Sequence, residues 1–165
     1  MRSLVISVLF AELSAAGLAC LRFNFRGVGR STGSYADGVG EQLDVVAALA
    51  TMADAVPAAP IALVGWSFGA DVCLNVDDAH VAGWVAIAPP LRFHAPFFAA
   101  SDPRPKHVVL AAHDEFRPAA DVEADVTDWV ATTVAVVPGA SHFFVGRTDL
   151  VVTETLAGIA RLATP

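Results

Sequence analysis

Apolar blocks alternate with amphipathic blocks along the chain, and this pattern predicts strands and helices in turn. Strands are predicted over residues 18–25, 61–64, 81–88, 107–112 and 132–137. Helices are predicted over residues 3–16, 40–55, 69–78, 118–130 and 149–162. The residues of the second helix that we expect to face the core are Leu43, Val46, Ala47 and Leu49. Because strands and helices alternate strictly, we expect a parallel sheet with right-handed crossovers, flanked by helices.

The composition fits a single α/β domain over residues 1–165. Of the 165 residues, 55% are hydrophobic and 16% are charged, which excludes a disordered chain and suits a sheet covered on both faces. The net charge is −7 and the basic residues do not cluster, so neither a nucleic acid nor an anionic membrane is expected as a partner. No apolar run reaches the length of about 18 residues that a membrane span requires.

Two features bear on the cellular compartment. Cys20 and Cys73 cannot build a disulfide framework and match no metal-ligand spacing, so we interpret both as core residues in a reduced, cytoplasmic setting. The apolar stretch over 4–11 follows a basic residue, which is also the outline of a signal peptide, but Glu12 interrupts it. We favour a buried helix here and keep a secreted form as the alternative.

The segment Gly65-Trp66-Ser67-Phe68-Gly69 is a G-x-S-x-G motif between a predicted strand and a predicted helix. On such a sharp turn the serine is strained and its hydroxyl stands above the edge of the sheet. We expect both glycines to be required, because the turn brings the residues on either side of the serine close together. The main-chain N–H of Phe68 then points to where an oxyanion would form. An ordinary strand-to-helix turn is the alternative interpretation.

A serine nucleophile needs a histidine base, and the base needs an orienting carboxylate. In this type of turn the chain order is serine, acid, histidine. Of the five histidines, His142 follows the last predicted strand, in a loop from which its imidazole can reach Ser67; His94 would line the pocket. Asp114 follows the end of a predicted strand and is our candidate acid. Glu115 is its nearest rival, but neighbouring side chains diverge, so only one of the two is expected to face the imidazole.

In these segments the chain resembles the α/β-hydrolase superfamily, and within it the small lidless bacterial serine hydrolases related to dienelactone hydrolases. The matching segments, in the expected order, are 21–31, 65–69, 113–118 and 138–144. The resemblance implies that Ser67 is the nucleophile, Asp114 the acid and His142 the base. It also implies hydrolysis of small carboxylic esters or related acyl bonds, without a metal or an organic cofactor.

The predicted site is open, since residues 89–106 are too few to form a large cap domain. Its substrate is expected to be a small, moderately apolar acyl ester. Trp66 and Phe143 are our candidates for substrate contact. Further candidates for its apolar walls are Phe68, Phe97, Phe98 and Phe144. The sequence makes no prediction of the oligomeric state.

One departure from the family concerns the N-terminal part of the fold. In the family a second oxyanion donor follows the third strand, and the first three strands and this loop have no counterpart here. We therefore expect about five strands, with 18–25 and 61–64 either paired directly or separated by a gap. We interpret Met1 as an internal start, preceded by roughly 40 to 60 further residues.

Two alternatives follow from these features. A catalytically impaired or inactive fragment is one, because loss of one oxyanion donor costs about 10²–10³ in turnover. A nucleotide-binding domain is the other, from Gly27-Val28-Gly29, although the spacing of these glycines is not G-x-G-x-x-G.

Overall fold

The computed structural model describes residues 3–93 and 95–162 of the chain. Helices and strands follow the predicted order except that residues 18–25 form no strand and that a short helix over 98–101 was not predicted. The helices are α1 (Leu4–Ala15), α2 (Val39–Ala55), α3 (Phe68–Leu74), α4 (Phe98–Ser101), α5 (Ala119–Asp125) and α6 (Thr148–Leu162). The strands are β1 (Ile61–Trp66), β2 (Val81–Ile87), β3 (Lys106–Ala111) and β4 (Thr132–Val137). The predicted α/β architecture is confirmed.

The four strands form one parallel sheet in the order β1-β2-β3-β4. Trp66, the last residue of β1, is in register with Ile87, the last residue of β2. Ala111 at the end of β3 is likewise in register with Val137 at the end of β4. Because all strands run the same way, the loops that follow β1, β3 and β4 meet at one edge of the sheet.

Helices cover both faces of the sheet and bury its two central strands, β2 and β3, whereas the edge strand β4 is partly exposed. On one face α1 and α6 pack together over β2 and β3, with Val5, Leu9 and Val151 buried beneath them. On the other face α2 and α3 pack over β1 and β2, where Val45 and Leu49 are buried. In the part of the chain that the structure describes, no helix has the length and apolarity needed to cross a membrane.

The predicted strand over 18–25 was wrong. These residues form neither a strand nor a helix, and Leu21 and Phe23 are 39% and 44% exposed. The reason is that a strand needs a neighbour: β1 pairs with β2, and among the described residues no strand lies along the other edge of β1. The segment is therefore separated from the sheet rather than paired with it.

Three helices differ from the prediction in detail: α3 ends at Leu74, four residues before its predicted end, and α2 and α5 differ as follows. The inward face of α2 is formed by Val45 and Leu49, whereas Leu43 is 64% exposed. Ala47 and Val46 are also exposed, so only Leu49 of the four predicted inward residues lies in the core. Apolar residues occur all around α2, so periodicity alone does not identify its buried face. The buried carboxylate of Glu41 accepts the main-chain N–H groups of residues 36 and 38 and caps the start of the helix.

Helix α5 ends at Asp125, five residues before its predicted end. The residues that follow form turns, in which Val130 donates its N–H to the carbonyl of Ala100. Trp129 packs against the ring of Phe97 at a centroid distance of 5.8 Å. Here tertiary contacts outweigh the helical periodicity of the sequence.

Candidate active site

Ser67 lies on a strained turn between β1 and α3. Its backbone angles are φ 54° and ψ −128°, a region that a residue with a side chain rarely adopts. Its N–H donates to the carbonyl of Ile87 at 2.8 Å, which fixes the turn to the end of β2. The main-chain N–H of Phe68, the predicted oxyanion donor, follows at the start of α3.

The two glycines of the motif are not equally constrained. A Cβ atom on Gly65 would lie 2.5 Å from the carbonyl oxygen of Gly69 and 2.6 Å from the Cα atom of Ala70, so only glycine fits. A Cβ atom on Gly69 would meet nothing closer than the ring of Phe25, at 3.8 Å. We expected crowding to require glycine at both positions, and this was wrong for Gly69. Only Gly65 is crowded, by backbone atoms of Gly69 and Ala70 at the start of α3.

The structure brings the side chains of Ser67, Asp114 and His142 together. The distance from Ser67 Oγ to His142 Nε2 is 2.9 Å, and the distance from His142 Nδ1 to Asp114 Oδ2 is 2.8 Å. With Nδ1–H donating to the carboxylate, Nε2 is free to accept the hydroxyl proton. The side chains of His142 and Asp114 are only 6% and 5% exposed, so this pair is largely shielded from water.

The carboxylate of Asp114 is itself held by the main chain. Its Oδ1 atom accepts the N–H groups of Phe116 and Arg117 at 2.9 and 3.1 Å, which leaves Oδ2 for the imidazole. Each oxygen therefore has a defined partner, and the carboxylate cannot rotate without losing hydrogen bonds.

The main chain of His142 is held by two side chains. Glu115 Oε2 accepts the N–H of His142 at 3.0 Å, and the indole Nε1–H of Trp66 donates to the carbonyl of His142 at 3.1 Å. Of the two neighbouring acids only Asp114 meets the imidazole, as expected, while the carboxylate of Glu115 meets the backbone of His142 instead.

Aromatic rings surround the imidazole. The rings of Trp66, Phe116 and Phe143 lie 5.4, 4.7 and 5.4 Å from the imidazole of His142, centroid to centroid. Phe116 and Phe143 are 57% and 45% exposed, so they form an apolar rim that is open to solvent. Of these three, Phe116 is absent from the sequence prediction; its position two residues after the acid was the available signal.

A second aromatic group lies around Phe68, whose ring contacts those of Phe25, Tyr35 and Phe93. The other predicted wall residues do not lie in the rim. Phe97 and Phe144 are buried in the core, at 7% and 0% exposure, and Phe98 packs against Trp84. Those three predictions were wrong because the aromatic residues were needed for packing.

The loop that carries Phe93 depends on a buried acid in α3. Asp71 is fully buried and its carboxylate accepts the main-chain N–H groups of Leu91, Arg92 and Phe93 at 3.0, 3.0 and 3.1 Å. Burial raises the pKa of Asp71, and the three hydrogen bonds oppose this rise. The role of Asp71 was not predicted from the sequence, because a single acid on a helix gives no indication of a hydrogen-bond partner twenty residues away.

The remaining histidines lie outside the site where the structure describes them. His80 is paired with Asp78 on the surface. His107 is buried at the N-terminal end of β3, with Nδ1 2.8 Å from the hydroxyl of Thr133, and burial lowers its pKa. His113 is exposed, and His94, which we expected to line the pocket, lies outside the described residues.

The two cysteines have no disulfide bond. Cys73 is buried and Cys20 is half-buried. Burial raises the pKa of the Cys73 thiol to about 12, so this thiol stays protonated and unreactive at neutral pH. Both positions fit our interpretation of the cysteines as packing residues.

Comparison with protein families gives one match over most of the chain. Residues 2–109 match the family described as the alpha/beta hydrolase fold. An uncharacterized protein of Rickettsia prowazekii is 31% identical over 145 residues, which cover 81% of this chain and 61% of that protein. The chain therefore spans less than two thirds of the length of this relative.

Solved structures give the same result. The chain superposes on an alpha-beta serine hydrolase homologue from Coxiella burnetii with a TM-score of 0.81 and 36% identity, over 93% of this chain and 74% of that one. It superposes on a serine hydrolase without a lid from Xanthomonas campestris with a TM-score of 0.87 and 30% identity, over 100% of this chain and 77% of that one.

Proposed function

Since the chain belongs to the α/β-hydrolase fold family, we propose that it is a serine hydrolase that cleaves small carboxylic esters or related acyl bonds through an acyl intermediate on Ser67. The observation that carries the proposal is the continuous chain of hydrogen bonds from Ser67 through His142 to Asp114. A fold-level match alone gives no reaction, because the same fold carries many functions.

The proposed reaction proceeds in two steps. In the first, His142 Nε2 takes the proton of the Ser67 hydroxyl as the oxygen attacks the carbonyl carbon, and the carboxylate of Asp114 stabilises the imidazolium that forms. The imidazolium then protonates the leaving alcohol. In the second step His142 takes a proton from water as the water attacks the acyl carbon. The bond from this carbon to Ser67 Oγ then breaks, the imidazolium returns the proton to Ser67 Oγ, and the carboxylic acid is released.

The oxyanion of each tetrahedral intermediate is assigned to the main-chain N–H of Phe68. This group directly follows the nucleophile at the start of α3, where the first N–H groups have no acceptor within the helix. The proposal assigns no second donor within the described residues. Turnover is therefore expected to be slower by about 10²–10³ than that of an enzyme with two donors. The alternative of an inactive fragment is not favoured.

The substrate is proposed to lie against the rings of Trp66 and Phe143, next to the imidazole. The exposed rim supports a small acyl ester with an apolar part, since partly exposed rings bury apolar area when a ligand covers them. The proposal further places the protein in the cytoplasm, with a small molecule as its partner and neither a nucleic acid nor a membrane. The net charge of −7 disfavours both polyanions.

The proposal is tested by labelling with a fluorophosphonate probe and by hydrolysis of p-nitrophenyl acetate and butyrate. We expect wild type to be labelled on Ser67, and Ser67→Ala to lose labelling and at least about 10³-fold in kcat. Ser101→Ala, at the exposed end of α4, is the matched control and should behave as wild type. Folded wild-type protein that is neither labelled nor active, or labelling that persists in Ser67→Ala, would contradict the proposal.

A further inference from the structure

We propose that Trp66 and Glu115 are positioning residues that clamp the backbone of the base, His142. This inference rests on the function proposed above. It concerns residues that touch neither the reacting atoms nor the imidazole nitrogens, and it assigns them a measurable effect on the chemical step.

The clamp consists of two hydrogen bonds to one residue. The indole N–H of Trp66 donates to the carbonyl oxygen of His142 at 3.1 Å, and the carboxylate of Glu115 accepts the N–H of His142 at 3.0 Å. Both main-chain polar groups of the base are thus held by side chains from other loops. The imidazole and the backbone of the same residue are fixed independently.

The positions of the two residues in the sequence give the clamp its effect. Trp66 directly precedes the nucleophile Ser67, and Glu115 directly follows the acid Asp114. Each clamp residue therefore shares a peptide bond with a residue whose side chain the imidazole must meet. A movement of the base away from the nucleophile or the acid would stretch a clamp bond as well as a bond of the triad.

The loop that carries the base needs such support. Gly139 and Gly146 both have positive φ, 66° and 72°, and a Cβ atom on Gly146 would meet nothing within 4 Å. Ala140 and Phe144 are buried and anchor this loop, whereas Phe143 and Val145 are 45% and 70% exposed, so the clamp bonds hold His142 between two anchored positions. Exposed loops move more than the sheet they connect, and a shift of about 1 Å at a reacting group can lower the rate about 10²-fold.

Packing and hydrogen bonding by Trp66 can be separated. Its ring lies 5.4 Å from the imidazole of His142 and 5.9 Å from the ring of Phe143, contacts that phenylalanine would largely keep. Phenylalanine has no N–H and a smaller ring, so Trp66→Phe removes the hydrogen bond while keeping an aromatic side chain at this position. At position 115, Glu115→Ala removes the acceptor, whereas Glu115→Gln keeps an acceptor oxygen and removes the charge.

The test compares kcat and KM for p-nitrophenyl acetate in wild type, Trp66→Phe, Glu115→Ala, Glu115→Gln and the double variant Trp66→Phe/Glu115→Ala. We expect each of the first two to lower kcat about 3- to 10-fold, as the loss of one hydrogen bond would. KM should stay within about twofold of wild type in Glu115→Ala and should rise modestly in Trp66→Phe, because the smaller ring covers less of the proposed substrate. Glu115→Gln should stay within about twofold of wild type in kcat. The double variant should lose about 10- to 100-fold, with the rate of fluorophosphonate labelling falling in parallel.

Matched controls separate positioning from general stability. Trp84→Phe removes an indole hydrogen bond of the same kind, from Nε1 to the carbonyl of Cys73 at 2.9 Å, but in the core. Glu123→Ala removes an exposed carboxylate on α5. Trp84→Phe should lower Tm and leave kcat unchanged, and Glu123→Ala should change neither. The two single clamp variants should lower kcat with Tm close to that of wild type.

Each outcome decides between the two proposals. Single clamp variants with kcat within twofold of wild type, or a higher KM at unchanged kcat, would overturn the clamp while the function stands. A fall in kcat in Trp84→Phe equal to that in Trp66→Phe would also overturn it, since the effect would then be global. Wild type without any turnover that depends on Ser67 would overturn the function, and the positioning role with it.

Discussion

The substitution Asp114→Asn changes one atom of the proposed relay and tests the role of the acid. The two oxygens of Asp114 have different partners: Oδ1 accepts the main-chain N–H groups of Phe116 and Arg117, and Oδ2 lies 2.8 Å from His142 Nδ1. An asparagine in this position has one acceptor oxygen and one amide group that only donates. The orientation of the asparagine side chain therefore depends on which of the hydrogen-bond partners can accept a hydrogen bond from the amide group.

The two main-chain N–H groups decide that orientation. If the amide group of asparagine faced them, three donors would meet without an acceptor. The oxygen will therefore stay with the N–H groups of Phe116 and Arg117, and the amide group will face Nδ1 of His142. Nδ1 must then act as the acceptor, so the proton moves to Nε2, where it faces the Ser67 hydroxyl. A protonated Nε2 cannot accept the proton of the nucleophile.

The expected loss in kcat is about 10³- to 10⁴-fold, the loss that a serine triad shows when its histidine is held in the wrong tautomer. This corresponds to about 4–5.5 kcal/mol of transition-state stabilisation. Stability should change by much less, because the hydrogen bonds to the main chain remain. The shape of the site is preserved as well, so KM should change little.

The assay is the hydrolysis of p-nitrophenyl acetate, with Tm measured on the same preparations. Asp121→Asn, which makes the same chemical change at an exposed position in the first turn of α5, is the control and should match wild type. If Asp114→Asn kept more than one tenth of the wild-type kcat, the orientation argument would be refuted. Asp114 would then not be the group that sets the tautomer of His142.

Two further substitutions test the framework around the site. Asp71→Ala should lower stability by about 3 kcal/mol and Tm by about 6–12 °C in thermal unfolding, because three main-chain N–H groups lose their acceptor; an unchanged Tm would contradict this. Hydrogen bonds from Arg26 lower the pKa of Asp44 in the folded protein. The ionised carboxylate of Asp44 therefore stabilises the fold fully above about pH 4, and this stabilisation is lost as the pH falls through the lowered pKa. Urea unfolding should therefore show wild type more stable than Asp44→Asn at neutral pH and the two converging below about pH 4, whereas a constant difference would refute the linkage.

The positions of the triad residues could be predicted because each follows the end of a strand. In a parallel sheet those ends lie at one edge, so the order of Ser67, Asp114 and His142 along the chain is enough to bring them to the same side. The roles of Trp66 and Glu115 could not be predicted. Both residues form hydrogen bonds with main-chain atoms of His142, and every residue type has these atoms, so the sequence does not indicate which backbone group a side chain will meet.

Helix rotation was equally hard to predict from periodicity. Leu43, Val45 and Leu49 are all apolar, and only contacts with the rest of the fold decide which of them faces the core. The buried carboxylate of Glu41, which caps the residues before α2 and is 1% exposed, was equally hard to predict, because an acid is a poor candidate for the core by composition.

The segment 18–25 connects the fold to the site even though it forms no strand. Its C-terminal end is fixed twice: the ring of Phe25 packs edge-on against Phe68 at a centroid distance of 5.8 Å, and Arg26 forms hydrogen bonds with the carboxylate of Asp44 through its backbone N–H and its guanidinium. Phe68 directly follows the nucleophile, so the contact with Phe25 supports the turn at Ser67, while the bonds of Arg26 tie the segment to α2. Side-chain contacts at one end of the segment thus provide what ladder hydrogen bonds would otherwise provide along its length. Because they act only at that end, the earlier residues of the segment keep their apolar side chains partly exposed while the turn that carries the nucleophile stays in place.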